Sequence, residues 1–316
     1  MYMKYVVHSI MNPKPDKILI DSSNLLHRAV WIAESTNRNI DPTYVFLTSV
    51  KKYVDMFACK NVYAVWDKRL IRGVKNYRRT HKSVEYKANR DVKRNEKVFS
   101  HEDRTTEYLN ALGVKNMYPG ILEADDVIYW LAKHTPGTSV VVSVDQDMLQ
   151  LVDEDVTVYS PIKDILIDKA NFHETQKVPL SDFLRYKSLM GDKSDNLPGV
   201  DRCGNKTAQK LVNDCPTDEL LIEKLGEEKL KPYFINLEMI DLREGIKKHP
   251  DDVKLYQDQY ENLKSHECDF SMFVKKCKEA NFNRIITNSH DWKKSFCDVN
   301  LTSRLQDIVK SLDLDK

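Results

Sequence analysis

The chain of 316 residues predicts an α/β fold: a mostly parallel sheet flanked by helices, followed by a helical C-terminal region. Three observations predict it. The apolar, β-branched runs at residues 17–20, 62–66 and 139–144 have strand length, and each ends on an aspartate: Asp21, Asp67 and Asp145. Helical periodicity separates these runs, with Val45, Phe46, Ser49, Val50, Tyr53 and Phe57 on one face of residues 42–58, and Val127, Ile128 and Leu131 on one face of residues 123–134. Beyond a small strand pair near 155–167 the composition turns helical to the end.

Taken in order, residues 1–16 read as an extension ending at the Pro13-Lys14-Pro15 break, and residues 17–180 as the α/β domain. Its strands are continuously apolar rather than alternating, as expected where helices cover both faces of a parallel sheet. The connection from Lys68 to Leu112 is too long for a plain loop. Its later part, Asn89 to Leu112, has few breakers and many charges and is expected to be helical. Residues 181–190 form a capped amphipathic helix, a glycine-bearing turn follows from Gly191 to Gly204, and another helix starts at Asn205. Residues 181–316 therefore make a helical C-terminal domain. Its final apolar stripe, Leu301, Leu305, Ile308, Val309 and Leu312, is expected to pack within the chain, as are Trp31, Trp66 and Trp130.

The net charge of +1 averages opposed regions. From Lys68 to Lys97 twelve Lys and Arg face only Glu85, Asp91 and Glu96, a local excess of nine positive charges suited to a polyanion. The six cysteines are scattered without a zinc-like spacing, so they are expected as reduced thiols. No apolar run reaches membrane-spanning length and the N-terminus is too short and polar for a secretory signal. A cytoplasmic protein, in a bacterium or a phage-infected host, is the expectation.

Nine carboxylates stand in five clusters: Asp21; Asp67; Glu123, Asp125 and Asp126; Asp145 and Asp147; Asp192 and Asp195. An aspartate after any one strand is commonly a turn residue or helix cap. Three such strand ends and an acidic helix start point instead to the crevice beyond the carboxyl ends of a sheet. So many like charges require cations if they converge, and oxygen ligands favour Mg²⁺ or Mn²⁺. A two-metal site for phosphodiester cleavage accounts for them most economically.

The most specific string is Met190-Gly191-Asp192-Lys193-Ser194-Asp195-Asn196-Leu197-Pro198-Gly199-Val200, continued by Gly204-Asn205-Lys206-Thr207-Ala208. It resembles the helix-hairpin-helix of the 5′-nuclease (flap endonuclease) family. Glu123-Ala124-Asp125-Asp126 and Asp145-Gln146-Asp147 match that family's other acidic motifs in order, over roughly residues 17–215. The length of the chain is similar to stand-alone phage members, and its tail resembles their ribonuclease H branch.

The resemblance implies a PIN-like sheet and a helical arch or clamp at about residues 85–112, with the helix-hairpin-helix at about 181–215. It implies two Mg²⁺, with Mn²⁺ a substitute and K⁺ at the hairpin. Asp21, Asp67, Glu123, Asp125 and Asp145 would surround one metal, and Asp126, Asp147, Asp192 and Asp195 the other. Lys87 and Arg90 would reach the reacting phosphate. Tyr86, stacking on an unpaired base, would join Arg28, Lys187, Gly199, Gly204, Lys206 and Lys210 in binding DNA. The implied activity is a structure-specific 5′→3′ exonuclease and flap endonuclease on flapped DNA and RNA/DNA duplexes, removing RNA primers and flaps in replication. A monomer meeting a single-strand-binding protein or clamp, with no membrane partner, is expected. The alternatives are a non-catalytic duplex-binding helix-hairpin-helix protein and a PIN-type ribonuclease.

Overall fold

A computed structural model describes residues 14–35, 40–68, 70, 76–81, 84–88 and 92–297. Its strands are β1 (Lys17–Asp21), β2 (Val62–Val65), β3 (Lys115–Met117), β4 (Ser139–Val142), β5 (Val156–Ser160) and β6 (Ile165–Ile167). They form one sheet in the order β3-β2-β1-β4-β5-β6, parallel throughout except for the β5–β6 hairpin. In the central register Ile18 faces Val62 on one neighbour and Val140 on the other, which levels the strand ends carrying Asp21, Asp67 and Asp145.

Side chains alternate across the sheet and build two cores. Leu19, Tyr63 and Val141 point to one side, and Ile18, Ile20, Ala64, Val140 and Val142 to the other. The second side is covered by α1 (Ser22–Ser35), α2 (Pro42–Phe57), α3 (Val92–Phe99) and α4 (Glu102–Ala111). On the first side lies α5 (Ala124–His134), which buries Val127, Ile128, Trp130 and Leu131. Asp41 caps α2 by accepting from the Thr43 amide at 2.8 Å, and Pro42 presets its first turn.

The chain continues through α6 (Phe172–Gln176), α7 (Phe183–Met190), α8 (Asn205–Asp214), α9 (Asp218–Leu225) and α10 (Glu227–Ile240). Then come α11 (Leu242–Lys248), α12 (Pro250–Leu263), α13 (Phe270–Glu279), α14 (Asn283–Thr287) and α15 (Ser289–Phe296). These helices cover both faces of the sheet: Tyr233, Leu242 and Tyr256 join the α5 core, whereas Phe273, Ile285, Trp292 and Phe296 join the α2 core.

Several expectations need correction. Strand β3 lacked an apolar run; it pairs with β2 through its backbone, and Asn116 accepts from the Trp66 indole at 2.8 Å. Cys268, just before α13, and Cys297, just after α15, were read as scattered but lie side by side with Cα atoms 5.7 Å apart, while the other four cysteines are buried. Trp66 and Trp130 are buried, but Trp31 is 57% exposed on the outer face of α1. The C-terminal leucine stripe lies outside the described residues.

Candidate active site

The sheet topology gathers the acids. Asp21 ends β1, Asp67 follows β2 and Asp145 follows β4, so all three reach the crevice at the carboxyl edge. Ser143 Oγ donates to Asp21 Oδ2 at 2.7 Å, tying adjacent strand ends together. Ser23 Oγ accepts from the Asp67 amide at 2.8 Å, and Asp67 Oδ1 in turn accepts from the Ala124 amide at 3.2 Å. The β2 aspartate is thereby joined to the start of α5.

Glu123 is the N-cap of α5 and forms a capping box with Asp126. Its outward oxygens meet Lys87 Nζ at 2.8 Å and the Tyr86 hydroxyl at 2.9 Å. Burial alone would raise the Glu123 pKa, but the Lys87 and Arg78 charges overcome it and hold the carboxyl at about 2. The Tyr86 hydroxyl also lies 2.9 Å from Asp195 Oδ2, and the Lys87 amide donates to the Asp195 carbonyl at 3.0 Å. Lys87 takes a left-handed backbone conformation, φ 55°, to make this turn. Thus the segment carrying Tyr86 and Lys87, the α5 acids and the hairpin meet at one point.

A second lysine repeats this on the other flank. Lys187 Nζ lies 3.0 Å from Asp147 Oδ1 and 3.3 Å from Asp192 Oδ2. Burial opposes its charge, yet Asp147 and Asp192 raise its pKa. The remaining acids are less well compensated. Desolvation, then Asp67, raises Asp21; desolvation, then Asp145 and Asp21, raises Asp125. Desolvation likewise raises Asp145 and, with the Asp145 charge, Asp147. Carboxylates pushed upward by one another form a single electrostatic cluster short of positive charge, and its oxygen-only donors fit hard divalent cations. Among the described residues no three His, Cys, Asp or Glu side chains are gathered as direct ligands of one ion.

Three expected roles meet a different geometry. Asp126 is fully buried, with both oxygens taken by Arg78 at 2.6 and 2.8 Å, so its carboxylate braces the cap instead of facing a metal. Tyr86, expected to stack on a base, is buried with its hydroxyl between Glu123 and Asp195. Lys187, expected to touch DNA, is buried between two acids. In the hairpin, a Cβ on Gly204 would meet no protein atom within 4 Å, whereas two other glycines are held in close packing. The close approach is made by Gly199 and Gly191: a Cβ on Gly199 would lie 2.2 Å from the Met190 carbonyl, and Gly191 has φ +68°.

Lys206 and Lys210 are exposed along α8, whose N-cap Gly204 supplies no side-chain cap. Arg28 is half-buried on α1 within electrostatic reach of Tyr53 and Tyr159. Arg90 lies outside the described residues. The sequence reading missed Ser143 and Arg78. Ser143 had a signal, a hydroxyl two residues before a strand-end aspartate. Arg78 had none, being one cation among twelve until the fold buries it.

With this geometry in view, the relatives are informative. The 5′-3′ exonuclease N-terminal resolvase-like domain matches residues 16–177, and the 5′-3′ exonuclease C-terminal SAM fold matches residues 178–282. The chain belongs to the 5′-3′ exonuclease family. It is 34% identical to the 5′-3′ exonuclease of Bacillus subtilis over 243 residues, covering 70% of this chain and 80% of that protein. It is 29% identical over 259 residues to the thermostable DNA polymerase I of Thermus thermophilus, covering 78% of this chain but 28% of the polymerase. The fold is similar to that of the bacteriophage T5 flap endonuclease in complex with DNA and metal ions, with TM-score 0.64, 18% identity and coverage of 79% and 99% of the two chains. It is also similar to flap endonuclease-1 from Methanococcus jannaschii, with TM-score 0.51, 16% identity and coverage of 90% and 93%.

Proposed function

We propose that this nuclease, a metal-dependent hydrolase like its family, cuts flapped DNA and RNA/DNA duplexes at the junction where a 5′ single strand leaves the duplex. The observation that carries the reading is the joining of the sheet-top acids to the hairpin acids Asp192 and Asp195 through the buried Lys87 and Lys187. It ties the element that grips duplex to the carboxylates that would hold metal. Asp21, Asp67, Asp125 and Asp145 would hold one ion, Mg²⁺ or Mn²⁺, and Asp147, Asp192 and Asp195 a second, with Glu123 linked to Asp195 through Tyr86 and Lys87. Bound there, the ions would lower the pKa of water and neutralise charge on the phosphate and on the leaving 3′ oxygen.

The protein's own groups do the rest. Lys87 would exchange its carboxylate partners for a phosphate oxygen, and Arg90, three residues later in the sequence, would add a second cation to it. Gly199 and Gly191 keep the hairpin thin, and the amides opening α8 offer a sequence-independent phosphate grip reinforced by Lys206 and Lys210. K⁺ at the hairpin carbonyls would extend that grip. Arg28 would add a backbone contact from α1. The biological setting we infer is RNA-primer and flap removal by a cytoplasmic monomer that meets a single-strand-binding protein or clamp. No described helix is long and apolar enough to cross a membrane.

A labelled 5′-flap duplex tests the reading. Wild type with Mg²⁺ should release a 5′-phosphate product, and Asp145→Asn should bind the duplex but cut it at least ~100-fold more slowly, the order expected when a group that orients metal chemistry is lost. Binding without cutting by wild type, or normal cutting by Asp145→Asn, would overturn it.

A further inference from the structure

Five successive backbone amides lead into the acidic start of α5, and every one of them donates to a carboxylate. Gly120, Ile121 and Leu122 donate to Asp252 at 3.0–3.2 Å, Glu123 donates to Asp126 at 3.0 Å, and Ala124 donates to Asp67 at 3.2 Å. Successive N–H groups turned to one side form a concave anion site. Asp252, buried in α12, fills it, and its carboxylate also accepts from the Tyr256 hydroxyl at 3.0 Å. One turn further along α12, Gln259 both donates to and accepts from the backbone of Tyr118, at 2.8 and 2.9 Å. Gly120 is required for this fit, since a Cβ there would lie 2.3 Å from Asp252 Oδ1.

From this we infer that Asp252 is a positioning residue for the nuclease reaction: it fixes the strap 120–124 so that Glu123 and Asp67 keep the spacing that metal binding requires. The inference rests on the proposed nuclease site and adds to it a control point about 130 residues away in sequence. A carboxylate serving only to cap a helix would accept from the amides of its own helix. Asp252 instead spends its acceptors on the segment that ends in Glu123, and that same segment's next amide holds Asp67. Glu123 and Asp67 sit on different elements, so their separation depends on the strap between them. Losing the Asp252 contacts frees three amides and lets both acids drift, which is the way partners behind metal ligands usually act.

The test compares wild type, Asp252→Asn, Tyr256→Phe and Gly120→Ala. Each is assayed for flap cleavage in Mg²⁺, for Mn²⁺ binding to the protein alone by calorimetry, for duplex binding in EDTA, and for thermal unfolding. Asp252→Asn should lower kcat by about 10- to 100-fold and weaken Mn²⁺ binding to a similar degree, with KM and EDTA-state duplex binding within about twofold of wild type. Gly120→Ala should match it, and Tyr256→Phe should move the same quantities by a smaller factor. A lower unfolding temperature with unchanged kcat and Mn²⁺ binding would overturn the inference, as would a change in KM alone. If Asp252→Asn does not fold, Tyr256→Phe decides, because it keeps the carboxylate; wild-type kcat and Mn²⁺ binding in that variant would sink the idea. Failure of wild type to cut the flap would count against the nuclease reading instead, while the Mn²⁺ measurement still reads the strap.

Discussion

Arg78 carries its guanidinium into the interior, where it binds Asp126 through two nitrogens, donates to the Met239 carbonyl at 2.9 Å and lies 3.6 Å from Glu123. A buried pair of this kind is costly to break from one side, because the surviving charge stays desolvated. Arg78→Met should therefore cost about 3–5 kcal/mol in urea unfolding. Adding Asp126→Leu should recover much of the loss in stability. Lys87 is different, since its ammonium pairs with Asp195 of the hairpin and with Glu123, which Arg78 also faces. Lys87→Ala should leave the unfolding free energy changed by less than Arg78→Met does, yet lower kcat on a 5′ flap by at least ~100-fold if the cation stabilises charge on the phosphate. Equal kcat for Lys87→Ala and wild type would remove it from the chemistry. At this scale the sequence showed which residue types carry the reaction. It could not tell a buried cation from an exposed one, because burial is decided by what packs above the residue.

The hairpin between α7 and α8 shows the same division at the scale of an element. Its acids and glycines were legible as a string, and the antiparallel bridge Asp192–Leu197 closes the turn they define. Which glycine does what was not legible: Gly199 lies against the Met190 carbonyl, whereas Gly204 has open space. Gly199→Ala should therefore disrupt the hairpin and weaken duplex binding, and Gly204→Ala should be tolerated, as gel-shift titrations of the two variants would show. Asn236 on α10 braces this element by donating to the Ser188 and Pro198 carbonyls at 2.9 and 2.8 Å. Lys206→Ala and Lys210→Ala should weaken binding equally across sequences, and each should reduce the slope of log affinity against log salt by about one. A sequence-dependent loss would show base contact instead of phosphate contact.

Across the whole molecule, acid crowding makes stability depend on pH and metal together. Asp21 and Asp147 are raised from 3.8 to about 7, so the folded protein binds more protons there than the unfolded chain. Their contribution is fully present below pH 3.8 and is lost as pH rises through about 7. Glu123 runs the other way: lowered from 4.5 to about 2, it contributes above 4.5 and loses that contribution as pH falls toward 2. Protein in EDTA should therefore melt at a lower temperature at pH 8 than at pH 5.5. Saturating Mg²⁺ should shrink or reverse that difference, because metal binds the deprotonated ligands. A melting temperature independent of both would show that the crowding is relieved some other way.

The amino-acid pattern by itself determined the alternation of strands and helices, the aspartates at three strand ends, the acidic opening of α5 and the hairpin string. These are local: strand periodicity, helix periodicity and turn chemistry are written within a few consecutive residues. Only the tertiary structure decided that Arg78 would sit under Asp126, that Lys187 would bridge Asp147 and Asp192, and that Asp252 on a distant helix would hold the strap leading to Glu123. Such contacts join residues separated by 48, 40 or 5, and 130 positions. They exist because both faces of the sheet are covered by the C-terminal helices, and a charge buried there must find its partner wherever the packing brings one.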